Sequence, residues 1–401
     1  MKIAVISIGS FDTQYSDYHL MKDIIIELLQ RGHLVSLIQK QYGNTPIYPV
    51  EFQPFLDSED LIVHNIPFAR KKKANLKARY LADLAYYYKA CNVLKKIKID
   101  KIYLQSNNSA FLPVFFAKNI LKKPLVYNEQ DIFPENAVFA GELCERSVIY
   151  KIAHEMQNYA YNNATLISTI SEDMRNTISF RYSIPKDEIT VIHNWGHESK
   201  KRSEQQNSES NTFLLKYPKK NKEFRVIYAG NLGKMQNVEL ILLTAKLMKN
   251  EENITFYIVG NGTNEAELKK FAGQHDLTNV VFVDMQPPDT VGDLYSSADV
   301  NVIPLQPNLI YAALPSKTAD CFIAGKPIVA CLDKDSEFAK LLKRYKIGDA
   351  SPSDPIELQN YLLDIQKTGW CGDTKGLLQD YFDKAQNVIA FCNMVENVQK
   401  I

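Results

Sequence analysis

Six cysteines, at positions 91, 144, 321, 331, 371 and 392, are scattered along 401 residues and never form a Cys-x-x-Cys pair. A structural zinc needs clustered thiolates or imidazoles, so this spacing argues against one, and the seven histidines show no ligand spacing either. Net charge is also lacking: 47 basic against 46 acidic side chains leave +1 at pH 7. Without a concentrated positive field there is no electrostatic case for nucleic acid. No uninterrupted apolar stretch reaches the ~18–20 residues that span a bilayer. The opening segment, MKIAVISIGS, has no basic stretch ahead of a long apolar run and reads as a first strand rather than an export leader. The expectation is a cytoplasmic chain with reduced thiols, lying at most on the inner face of the cell membrane.

What is present is an ordinary globular composition, 45% hydrophobic and 23% charged, over a length that suits two domains. Short β-branched runs alternate with amphipathic segments of helical length, the pattern of βα units that build parallel sheets. Strands are predicted at 3–8, 34–38, 102–105, 125–128, 166–169 and 189–192, and again at 225–229, 254–259, 280–283, 300–304 and 328–331. Between the two sets, the polar segment 200–222 reads as linker and exposed loop, too poor in large apolar side chains to offset its ordering entropy. The predicted organisation is a Rossmann-like domain at 1–197, a linker at 198–222, a second Rossmann-like domain at 223–376 and a C-terminal helix at 377–401 that packs back on the first.

Open α/β sheets bind ligands beyond the carboxyl ends of their strands, so the loops there carry the candidate chemistry. Tyr228-Ala-Gly-Asn-Leu-Gly-Lys-Met-Gln236 follows the first strand of the second half. Gly230 and Gly233 allow close backbone approach, and the helix after them offers unpaired N–H groups to a phosphate. Lys234 is placed to neutralise a leaving diphosphate. Val259-Gly-Asn-Gly-Thr263, containing Gly260, Asn261 and Gly262, suits a base or ribose edge, its glycines clearing space for a flat ring. In Ala313-Leu-Pro-Ser-Lys317, Pro315 and Ser316 read as a helix start with Ser316 as a possible cap. Lys317 in the first turn opposes the helix dipole, which makes sense if an anion offsets it; the alternative is a solvated surface lysine. Asp320, one turn on, can accept from ribose hydroxyls.

These loops resemble, in order, the donor domain of glycosyltransferase family 4: Ala-Gly-Asn-Leu-Gly, Val-Gly-Asn-Gly, Ala-Asp-Val-Asn-Val-Ile-Pro-Leu at 298–305, Leu-Pro-Ser-Lys-Thr and Ala-Gly-Lys-Pro-Ile-Val. The resemblance is to the branch of bacterial O-antigen, capsule and colanic-acid clusters that includes candidate L-fucosamine transferases. In the first half, Tyr127-Asn-Glu-Gln-Asp-Ile-Phe-Pro-Glu135 and Ile192-His-Asn-Trp195 extend it. The resemblance implies a GT-B fold, two Rossmann-like domains with parallel sheets facing across a cleft, and a retaining transferase. The second domain would hold a nucleotide-sugar donor, UDP-linked by resemblance, and the first a glycan or polyprenyl-diphosphate-linked acceptor. By position, Asn231 and Lys234 would lie near the diphosphate, Gly260–Gly262 near the nucleoside, and Pro315, Ser316 and Lys317 near phosphates and sugar, with Gln236 a further donor-binding candidate. Asp320 stands where the family has the second glutamate of its Glu-x7-Glu motif. The first glutamate falls at Ala312, and the family's loop arginine at Asn231.

No cofactor or metal is expected, because preorganised cations and helix N-termini can stabilise the departing diphosphate. Asp333-Lys-Asp335 spells a metal motif but reads as a solvated turn. Asp131 is the first-domain candidate for positioning the acceptor hydroxyl, the alternative being a turn cap before Pro134. Glu135 and the loop carrying Ser10, Asp12 and Asp17 are further acceptor candidates. The basic run Arg70, Lys71, Lys72 and Lys73 reads either as a solvated face or as an attraction to anionic lipid, with Phe52, Phe55, Ile66 and Phe68 dipping into the interface. Two other functions stay open at this stage: a nucleotide-sugar 2-epimerase on the same frame and a non-catalytic bilobal binding protein.

Overall fold

A computed structural model describes residues 1–11, 18–43, 45–68, 76–107, 109–197, 211–287 and 290–399. The chain divides into two units, one of Met1–Asn194, Ala312–Leu314 and Lys384–Ile401, the other of Trp195–Tyr311 and Pro315–Asp383.

The first unit holds a seven-stranded sheet: β1 (Lys2–Ile6), β2 (Leu34–Gln41), β3 (Leu61–Pro67), β4 (Lys101–Gln105), β5 (Leu125–Glu129), β6 (Leu166–Thr169) and β7 (Ile189–Val191), in the order β3-β2-β1-β4-β5-β6-β7. Every pairing is parallel. The second has six strands: β8 (Phe224–Ala229), β9 (Ile254–Val259), β10 (Val280–Val283), β11 (Val300–Pro304), β12 (Ile328–Cys331) and β13 (Gly348–Ala350), in the order β10-β9-β8-β11-β12-β13. These are parallel too. Central strands are buried along their whole length, as in β5, β9 and β11, because helices cover both faces of a parallel sheet. The helix Tyr18–Gln30 ends at Gly32, whose φ of +79° closes it.

Two expectations need correction. The polar segment before β8 is not loop throughout: residues 198–210 lie outside the described residues, but Thr212–Lys216 is a helix. Asn211 caps it by accepting from Leu214 N–H, and its own amide donates to the Asp293 carbonyl at 2.8 Å. Phe213 is buried against Tyr217 and Tyr257. Burying that one ring, worth about 1.5–3 kcal/mol, helps offset the ordering of a short polar segment. The C-terminal stretch is likewise two helices, Thr374–Tyr381 in the second unit and Lys384–Asn397 in the first. The latter is tied down by Glu396, which accepts from Arg31 at 2.9 Å and meets His33 at 2.7 Å.

Candidate functional site

The second sheet reverses its winding at β8, with β9 and β10 to one side and β11 to β13 to the other. Ligands of open α/β sheets bind at such a switch point, beyond the strand ends. The chain leaving β8 there is the loop 230–236. Gly230 and Gly260 have φ of +147° and +143°, values that side chains rarely adopt. A Cβ on Gly260 would fall 1.8 Å from the Gly230 oxygen, and one on Gly262 2.4 Å from the Leu232 carbonyl carbon. Main-chain bonds join the two loops: Gly230 N–H to Val259 O at 2.9 Å, Leu232 N–H to Asn261 O at 2.8 Å, and Asn264 N–H to Leu232 O at 2.9 Å. Glycine at both positions of the second loop thus makes room for the first loop's backbone, a reason the sequence alone did not offer.

Lys317 opens the helix Lys317–Ile323. Its Nζ is buried without a hydrogen-bond partner and lies 3.9 Å from the centroid of the Tyr228 ring. A Cβ on Gly230 would stand 3.4 Å from that nitrogen, so lysine, tyrosine and glycine loop meet at one point. Burial pulls the lysine's pKa from 10.5 down to about 7. Removing an ammonium from water without a partner costs several kcal/mol, which rules out the solvated-lysine reading. An anionic ligand would supply the missing partner. Tyr228 is itself buried, and its hydroxyl donates to the Asn231 carbonyl at 2.6 Å.

The other candidates fall around this point or away from it. The Asn231 side chain lies beside Gly233 and Gly262, and Gln236 beside Gly233; the Gln236 Oε1 is buried with no partner. Lys234 is exposed in the turn Lys234–Gln236, and no described contact joins its ammonium to Lys317. Pro315 and Ser316 are half-buried, and Ser316 makes no capping hydrogen bond, which corrects its reading as a cap. Asp320 is engaged inside the unit: its Oδ1 accepts the His197 backbone N–H at 2.7 Å, and the His197 ring Nδ1 lies 3.1 Å from Oδ2. Sequence reasoning missed His197, since nothing local links residues 123 positions apart. Asp333 accepts Asn308 N–H at 2.8 Å and Asp335 accepts the Tyr311 hydroxyl at 2.9 Å, so both carboxylates hold one loop. Among the described residues no group of three His, Cys, Asp or Glu side chains could hold a metal ion.

In the first unit, Asp131 is exposed just past β5, and its backbone bridges Ala313 in antiparallel fashion. Ala312, at the position of the absent glutamate, is buried, and its carbonyl accepts from Ile132 N–H at 2.8 Å. Glu135 is removed from the acceptor set. Its side chain is fully buried and accepts from the hydroxyls of Tyr150 at 3.1 Å and Tyr182 at 2.7 Å. Ser10 is buried, while Asp12 and Asp17 lie outside the described residues, as do Arg70, Lys71, Lys72 and Lys73. Phe52 and Ile66 are core residues, which corrects their reading as interfacial. The buried last residue of β5, Glu129, was also missed from sequence. It accepts from Ser106, from Gln157 Nε2 at 2.9 Å and from the Tyr161 hydroxyl at 2.5 Å, and burial raises its pKa to about 7.

Residues 20–195 match the family described as Glycosyltransferase Family 4, and residues 210–348 the one described as Glycosyl transferases group 1. The chain is a two-domain glycosyltransferase. It is 24% identical over 374 residues to "Probable glycosyltransferase WbjE" of Pseudomonas aeruginosa, covering 88% of this chain and 89% of that one. The glycosyltransferase has the GT-B fold. Anabaena Alr3699/HepE, solved in complex with UDP and glucose, superposes with a TM-score of 0.71 at 16% identity over 99% of this chain and 100% of that one. WaaG, a glycosyltransferase involved in lipopolysaccharide biosynthesis, gives 0.70 at 14% identity over 98% and 100%. No helix of the described glycosyltransferase is long and apolar enough to cross a membrane.

Proposed function

We propose that this glycosyltransferase transfers a sugar, with retention at the anomeric carbon, from a UDP-linked donor to a lipid-linked or oligosaccharide acceptor during bacterial surface-polysaccharide assembly. The sugar class is an N-acetylated amino or deoxy hexose. The observation that carries the reading is the buried Lys317 ammonium, unpartnered and set against the glycine loop at the switch point of the second sheet. Breaking the anomeric C–O bond leaves charge on the nucleoside diphosphate. A desolvated cation that strengthens its hold as this charge develops lowers the barrier to transfer. The HepE complex with UDP supports the choice of base, and WaaG supports the surface-polysaccharide setting.

The acceptor hydroxyl is positioned by Asp131, and its proton leaves with the departing phosphate in a front-face reaction. Transfer is metal-independent in this reading, because Lys317 meets the leaving charge and Asp333 and Asp335 are committed to their loop. The run Arg70–Lys73 draws the first unit to anionic lipid, which vesicle sedimentation at low and high salt would check.

A thermal-shift screen with UDP, GDP and TDP and their sugars tests the donor reading, since selective binding raises the melting temperature. UDP should give the largest shift, and Lys317→Ala should abolish it. An unchanged shift in that variant refutes the assignment. Release of UDP only with acceptor present identifies transfer, and NMR of the product's anomeric proton decides retention.

A further inference from the structure

The Lys317 ammonium has no hydrogen-bond acceptor to fix it, yet it sits at the one point where the glycine loop and the helix Lys317–Ile323 meet. What holds it is the face of Tyr228, 3.9 Å from Nζ to the ring centroid. The same side chain reaches past the lysine with its hydroxyl to the Asn231 carbonyl at 2.6 Å. Tyr228 ends in the core of the second unit, so neither contact depends on an exposed, mobile group. We propose that Tyr228 is a positioning residue for transfer: its ring face carries the Lys317 ammonium and its hydroxyl pins the Asn231 carbonyl, so one buried side chain aligns cation and loop together on the leaving diphosphate. This rests on the reading of Lys317 as the diphosphate contact.

The groups facing the ammonium are few. Cys321, one turn along the same helix, acts on Lys317, and burial pushes its thiol up to about 12, which keeps it neutral. Asp320 and Tyr295 lie around Cys321, and Glu239 acts on Tyr228 from the helix Val238–Leu247. Because the free lysine titrates at about 7, a diphosphate must find or restore its proton. UDP affinity in the wild type should therefore fall by up to ~10-fold per pH unit above neutrality. The ring face favours the charged form, so weakening it moves the onset of that fall to lower pH.

The test is UDP binding to the full chain by calorimetry from pH 6 to 9, with melting temperatures alongside. Tyr228→Phe keeps the ring and loses the hydroxyl. It should bind UDP ~5-fold more weakly at every pH, the effect of losing one ordinary hydrogen bond, with the same pH midpoint. Replacing that phenylalanine by pentafluorophenylalanine changes volume little but reverses the charge on the ring face. Affinity should drop ~10-fold further and the midpoint move to lower pH. A purely structural role predicts pH-independent losses that track the melting temperature. The proposal is overturned if the fluorinated and plain phenylalanine proteins share affinity and midpoint, or if Tyr228→Phe binds UDP like the wild type. Wild-type affinity in Lys317→Ala would instead refute the diphosphate reading beneath it.

Discussion

Gly260→Ala is the sharpest single perturbation of the glycine loops. The new Cβ would lie 1.8 Å from the Gly230 oxygen and 3.0 Å from its carbon, on a residue with φ of +143°. The backbone conformation alone costs about 1–3 kcal/mol for a residue with a side chain. Relief of the overlap requires the Gly230 peptide to move, which breaks the 2.9 Å bond from Gly230 N–H to Val259 O and adds about 1 kcal/mol. A total of roughly 2–4 kcal/mol should lower the melting transition of a unit of this size by about 4–16 °C. Gly273→Ala is the control. It lies in the helix Glu265–Gln274 with nothing within 4 Å of its would-be Cβ, so it should gain up to ~1 kcal/mol and melt a few degrees higher. Differential scanning calorimetry of both variants reads the difference directly. Equal melting of Gly260→Ala and the wild type would refute the account of why these loops carry glycine.

Three further outcomes follow from the same contacts. Lys317 has a folded pKa of about 7 against an ordinary 10.5, so between these values the unfolded chain binds more protons and ligand-free stability rises with pH. Lys317→Met should be the more stable protein at pH 7, with an advantage that shrinks toward pH 9.5 by at most ~1.4 kcal/mol per unit; urea melts at both pH values check this. Tyr161→Phe removes a 2.5 Å donor from the buried Glu129 and should cost about 1–3 kcal/mol at pH 8 in the same assay. Asp333→Asn combined with Asp335→Asn should leave UDP release per transfer within ~2-fold of wild type, with or without EDTA; a loss restored by added Mg²⁺ would argue for a metal.

Strand pattern made most of the sheet legible, because central parallel strands are continuous β-branched runs such as residues 254–259 and 300–304. Leu61–Pro67 escaped because His64, Asn65 and Pro67 interrupt its apolar run, and Gly348–Ala350 because three residues carry no period. The break between the last two helices has no glycine or proline to announce it: Phe382 and Asp383 simply turn the chain. At the site, sequence could point to Lys317 but not decide between solvent and burial, since that depends on Tyr228 arriving from another element. The pairing of Asp320 with His197 and the burial of Glu135 under two tyrosines are tertiary facts of the same kind. A motif names the residue types; packing decides which are free to meet a ligand.

The claim on which the rest depends is that Lys317 is held buried and unpartnered for the sake of a diphosphate. Calorimetric affinity for UDP at pH 6.5, in the wild type and in Lys317→Met, measures it most directly. A charge-assisted contact of about 1.5–3 kcal/mol predicts ~10–100-fold weaker binding by a variant that is folded and no less stable than its parent. Undiminished affinity in that folded variant would contradict the account.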